Sequence, residues 1–147
     1  MYVIDPAIKK DPARRWALPD RIFFACGACH ILAFAFIETY PKSGFLPTWI
    51  KPRDGHIGNH IVAVREDVAF DYHGYSNWPR LQAHARKKAT RWWPGWSATT
   101  VELPVDVLVS EEGSRRFQGL WLREPRQFPH DALPRARAFV RRFPAPR

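Results

Sequence analysis

Two cysteines bracket a short dipeptide in Cys26-Gly27-Ala28-Cys29-His30, and an almost unbroken apolar run, Ile31 to Ile37, follows them directly. A helix that is apolar on every side belongs inside a core, so the cysteine pair stands where a buried helix begins. The first turn of such a helix presents unpaired N–H groups and the positive end of its dipole, which favour a thiolate over a thiol. Three chemistries use a cysteine pair in that setting: a nucleophilic thiol, a redox dithiol, or the anchor of a metal or haem.

A thiol nucleophile needs a base to take its proton and an acceptor to orient that base. His60 and Asp71 supply both types, eleven positions apart in His60-Ile61-Val62-Ala63-Val64, Arg65-Glu66-Asp67, Val68-Ala69-Phe70-Asp71-Tyr72. The alternation and the polar break predict an antiparallel hairpin. If it turns tightly on Glu66-Asp67, Arg65 faces Val68, and His60 and Asp71 fall on one sheet face, one diagonal step apart. A four-residue turn would set them directly opposite each other. A three-residue turn would put them on opposite faces and break the pairing.

The order of these parts resembles the papain-like cysteine enzymes: a cysteine starting a buried helix, a histidine opening one strand, an acidic residue on the next. Cys26-Gly27-Ala28-Cys29-His30 is similar to the papain-type Cys-Gly-Ser/Ala-Cys-aromatic signature, in which the second cysteine attacks. Asn59-His60 and Phe70-Asp71 resemble the His and Asn/Asp parts of the compact NlpC/P60-like and transglutaminase-like branches, and the likeness spans about Phe23 to Gly74. It implies Cys29 as nucleophile, His60 as base, Asp71 as orienter, and a hydrolase or acyltransferase that acts on a peptide or other amide-bearing substrate without a cofactor. The chain departs from papain in having no glutamine before Gln82. The Cys29 N–H can serve as one oxyanion donor, and Asn59 or His30 as the second.

Three rival readings use the same residues. Cys26, Cys29, His56 and His60 could be four ligands of a structural zinc in a binding module, since Cys-x-x-Cys and His-x-x-x-His are both acceptable ligand pairs. Cys26 and Cys29 could be the dithiol of a thioredoxin-like oxidoreductase, with Leu103-Pro104-Val105 as the facing proline-led strand. Cys-x-x-Cys-His is also the c-type haem attachment signature, with His30 as axial ligand. Haem attachment implies export, and Met1 to Trp16 carries charges and no apolar stretch of signal-peptide length.

The elements around these residues suggest one α+β domain over 1–147: the helix led by Cys29 packed on a small, mainly antiparallel sheet. Prolines at 6, 12 and 19 predict an extended arm over 1–20. Arg21 to Ala25 reads as a short strand or the approach to the helix, which runs from about Cys29 to Thr39. Thr48-Trp49-Ile50 can form a short strand inside an otherwise loop-like stretch, and Leu81 to Thr90 has helical composition. Val101 to Val109 and Phe117 to Leu122 read as strands, and a basic helix over about Asp131 to Phe143 closes the chain.

The formal charge of +9 attracts anionic partners in general. The basic residues are scattered, and specific nucleic-acid binding is not expected. The apolar run after Cys29 stops at Glu38 and Pro41, short of the roughly 20 residues of a membrane span. A cytoplasmic location is therefore expected, a compartment in which cysteines serve chemistry more often than disulfides.

Overall fold

The computed structural model describes residues 4–147 and has an α+β architecture. Its centre is helix α4, Cys29–Thr39, in which His30, Ile31, Leu32, Ala33, Ala35, Phe36 and Ile37 are all buried. Apolar residues on every face leave the helix no side to turn toward water, so the rest of the chain wraps it.

One wall is a five-stranded antiparallel sheet. It is built from β1 (Leu46–Pro52), β2 (His60–Arg65), β3 (Val68–Asp71), β4 (Gly74–Asn77) and β5 (Ala98–Glu102), in the spatial order β4-β3-β2-β1-β5. The β2–β3 hairpin pairs Arg65 with Val68, Val64 with Ala69 and Ala63 with Phe70, the register of a two-residue turn on Glu66-Asp67. Glu66 takes the left-handed conformation there, φ 52°.

Helix α5 (Trp78–Trp92) follows β4 in the chain and contacts β4 and β3, with its Ala89 buried beside Ile50 and Trp96. Helix α7 (Ala132–Val140) packs along α4, burying Ala136, Phe139 and Val140. On α4's sheet side, the Phe36 ring stacks on Phe70 with centroids 4.2 Å apart and planes 16° from parallel. A second cluster, Trp49, Ile61, Leu103, Leu108, Leu120 and Leu122, closes over Ala33.

Several local expectations need correction. The arm over 1–20 is helical where it is described: α1 spans Pro6–Lys9, α2 spans Pro12–Trp16, and α3, Asp20–Ala25, replaces the expected strand or approach. Pro6 and Pro12 open their helices, a position where proline's missing N–H does no harm. The caps are Asp5, which accepts from the Ala7 N–H at 2.7 Å, and Asp11, which accepts from Ala13 at 3.1 Å.

Arg135 of α7 fastens these helices down. Its guanidinium donates to the Asp20 carboxylate and to the carbonyls of Trp16 and Leu18, at 2.6 to 2.7 Å. Pro104 follows the last residue of β5, Glu102, by two positions, so Val105–Val109 coils into a 3₁₀ turn rather than extending the strand. A short helix, α6 (Glu111–Ser114), follows, and Phe117 to Leu122 is a turn and irregular chain where a strand was expected.

Gly74 closes the turn between β3 and β4 with φ +89°, and a Cβ there would sit 2.6 Å from the Phe143 ring. Gly74→Ala is therefore expected to lower stability by about 1–3 kcal/mol through strain and overpacking. Urea unfolding measures this, and an unchanged midpoint would show that the turn and the Phe143 contact yield freely.

Candidate functional site

Cys29 occupies the first position of α4, behind an N-cap, Ala28, whose methyl group can bond none of the exposed N–H groups. The uncapped first turn is left to stabilise negative charge at its mouth. Gly27, with φ +103°, makes the bend from α3 into α4, and Cys26 ends α3 as its C-cap.

His60 opens β2 and Asp71 ends β3, so the hairpin register places them on one face as a diagonal pair. The His60 Nε2 lies 2.9 Å from the Asp71 Oδ2. A carboxylate only accepts, so Nε2 carries the hydrogen and Nδ1 is the nitrogen left to face sulfur. The Cys29 thiol lies near enough to His60 for the imidazole to lower its pKa. The three residues named from the sequence thus converge.

Asp71 is buried and holds more than the histidine. Its Oδ1 accepts from the His73 backbone N–H at 2.8 Å and approaches the His73 Nδ1 at 3.2 Å. Burial would raise its pKa, but hydrogen bonds from His60 and His73 overcome that and hold the carboxyl well below its usual range. Burial would likewise disfavour the His60 cation, yet the bonds to Asp71 and Cys29 raise its pKa to about 10. At Cys29, burial pushes the thiol up, while hydrogen bonds and charge from His30 and His60 bring it down to about 5. The resting state these shifts describe is a thiolate–imidazolium pair backed by a carboxylate, whose two proton-transfer steps belong to the pair rather than to either residue.

His30 is the residue whose role the sequence leaves open. It is buried, its Nε2 donates to the Arg123 carbonyl at 2.7 Å, and it joins His60 in lowering the pKa of the neighbouring Cys29 thiol. Two imidazoles therefore address one thiol, and of these only His60 has a carboxylate partner among the described residues. His30 ties the segment carrying Arg123 to the start of α4, a link across 93 positions that no local pattern could reveal.

Asn59 is fixed just as firmly. The Trp49 indole donates to the Asn59 Oδ1 at 2.8 Å. Indole N–H can only donate, so the amide is oriented with its NH₂ group directed away from Trp49. Asn59 lines both clefts that meet at the site, one with Cys29 and His30, the other with His60 and Asp71.

The rival ligand sets do not assemble. Among the described residues no group of three or more His, Cys, Asp or Glu side chains could hold a metal ion. The proposed zinc ligand His56 is engaged elsewhere, its Nδ1 accepting from the Ser97 N–H at 3.3 Å. The segment before Cys26 is helix α3 and the sheet is antiparallel throughout, whereas the redox reading needs a strand leading into the dithiol. Pro104 begins a 3₁₀ turn rather than a strand facing the cysteines. Burial raises the Cys26 thiol above its ordinary value, so the two cysteines differ in opposite directions.

Compared with known proteins, the chain matches no family model, no curated protein and no solved structure. No helix among the described residues is long and apolar enough to cross a membrane.

The lowered thiol pKa has a direct kinetic signature. A folded pKa below the ordinary 9.0 means that the thiolate persists as pH falls, until the pair gains a proton near 5. Iodoacetamide should label Cys29 at a rate that is half-maximal near pH 5 and level through neutrality, while Cys26 stays slow. His60→Ala should move the midpoint up toward the ordinary thiol range of roughly 8 to 9. A wild-type midpoint already in that range would contradict the ion pair.

Proposed function

We propose that this chain is a thiol hydrolase or acyltransferase of papain-like design, acting on an amide or related acyl bond through Cys29, His60 and Asp71. The observation that carries the reading is the pairing of a strand histidine with a buried aspartate at 2.9 Å, beside a helix-start thiol whose pKa that histidine lowers.

The chemistry follows from the protonation states. The Cys29 thiolate attacks the carbonyl carbon, and the displaced electron pair settles on the carbonyl oxygen. The Cys29 backbone N–H and the oriented Asn59 amide are the donors for that oxyanion. His60 then gives its Nδ1 proton to the leaving amine as the C–N bond breaks, which leaves a thioester on Cys29. Water or a second amine attacks the thioester, its proton passes to His60, and the thiolate departs. Asp71 keeps the imidazole in one tautomer throughout and offsets its positive charge.

A cleft of about 510 Å³ adjoins His60 and Asp71, walled by Leu81, Trp92, Trp93, Trp96 and Ile57. Trp96 is fixed by its indole N–H, which donates to the Ile57 carbonyl at 2.9 Å. A concave, mainly apolar cleft of this size suits the organic part of a small substrate or one end of a peptide. Because it lies on the histidine side of the sulfur, it is suited to the part of the substrate next to the proton transfer.

An activated ester such as p-nitrophenyl acetate tests the acyl-enzyme directly. The expected outcome is a burst of nitrophenol equal to the enzyme concentration and an acetyl group on Cys29 by mass spectrometry. Cys29→Ala should abolish both, and His60→Ala should slow acylation by about 10²–10⁴-fold, the usual worth of a general base. Acetylation spread over lysines with no burst would refute the proposal.

A further inference from the structure

Two cations line the cleft that holds Cys29 with no carboxylate partner among the described residues: Arg15 and Arg123 appear in none of the ion pairs. Arg15 reaches across the bend before α4, where its Nη2 donates to the Cys26 carbonyl at 2.7 Å. The guanidinium lies so close to Gly27 that any Cβ there would collide with it. Arg123 has its carbonyl bound to His30 and its guanidinium 5.4 Å from the Phe128 ring centre. Both side chains are half-buried and line the cleft that contains Cys29, His30 and Asn59.

Neither position is comfortable for a lone cation. Burial lowers the Arg15 pKa, and the charge of Arg123 lowers it further. Arg15 uses one of its five donors on the Cys26 carbonyl, and the Arg123 guanidinium has no hydrogen bond among the described residues. Convergent guanidiniums that repel each other become favourable once an anion accepts from both.

Glu111 lines the same cleft, but its two oxygens already accept from Arg115 at 2.7 Å and Gln127 at 2.6 Å. It is not the missing partner. Its negative charge repels a dianion such as phosphate about twice as strongly as a singly charged carboxylate, which is therefore the better fit. An anion entering from outside would meet both guanidiniums in the cleft that also holds Cys29.

We propose that Arg15 and Arg123 form a carboxylate subsite, so that the substrate of Cys29 carries a carboxylate close to the acyl bond attacked. This rests on Cys29 being the nucleophile. It narrows the substrate class to amides of acidic compounds, such as a peptide bond near a free C-terminus or beside an acidic side chain.

Iodoacetate and iodoacetamide are matched in size and differ in charge, so their rate ratio at Cys29 reads the subsite separately from the thiol. N-acetylcysteine under the same conditions supplies the reference ratio. The wild-type chain should exceed that reference by about tenfold or more, and Arg15→Gln and Arg123→Gln should each cut the ratio by about tenfold, as expected for loss of a charge-assisted hydrogen bond. Lys87→Gln on α5 should leave the ratio unchanged. Propionate should protect wild-type Cys29 from iodoacetamide, propionamide should not, and Arg123→Gln should lose that protection.

A wild-type ratio equal to the reference would overturn the subsite while leaving a fast-labelling nucleophile in place. An equal fall with Lys87→Gln would also overturn it, by tracing the preference to overall charge. Iodoacetamide labelling of Cys29 no faster than that of Cys26 would remove the nucleophile, and the subsite with it.

Discussion

The burial of α4 is the constraint on which the site depends. The helix is covered on one side by Phe23, Phe24 and Phe139 and on another by Trp49, Ile61 and Leu108, so its first turn is the part that meets a cleft. Interiors are close-packed, and a helix held on all sides cannot slide without opening a void. Phe36 stacks on Phe70, and Phe70 is the strand neighbour of Asp71. A contact between two hydrocarbon rings therefore sets the relative position of the sulfur and the carboxylate. Rigid elements, rather than loops, carry the geometry.

The three ionisable groups tolerate this burial only as a set. Each alone would meet a large desolvation cost, and removing one member of a buried charge group leaves the others uncompensated. Asp71 makes the His60 cation tenable, and that cation makes the Cys29 thiolate tenable. Arg15, His30 and Asn59 brace the same spot through a carbonyl, a carbonyl and an indole N–H respectively. Those bonds join the N-terminal helices, the segment around Arg123 and β1 to a few ångströms of structure around one sulfur atom.

Features with a local cause are legible in the sequence. The hydrophobic run predicts α4 to the residue, and the polar break at Arg65-Glu66-Asp67 predicts the β2–β3 hairpin, while the choice among turn lengths, and so the register, comes from the fold. Cys29, His60 and Asp71 can be named because each sits at a structurally marked place: a helix start, a strand start and a strand end. Proline misleads in both directions. Pro6 and Pro12 look like breakers, yet each opens a helix behind an aspartate cap; Pro104 looks like a bend within a strand, yet the strand stops before it. Long-range partnerships leave no local trace. Nothing near Arg123 announces His30, and nothing near Trp49 announces Asn59, since the chain meets itself there only after folding.

Asp71 serves two employers at once. One oxygen fastens the turn through the His73 N–H and the other holds His60, so fold and relay draw on the same side chain. A residue with a single acceptor duty can drift between aspartate and asparagine over generations, because one amide oxygen suffices. Here that exchange is closed: an amide that turns its oxygen to the imidazole presents its NH₂ to another N–H donor, and the reverse orientation spoils the relay. The identity of this position is set by counting lone pairs, before any question of charge arises.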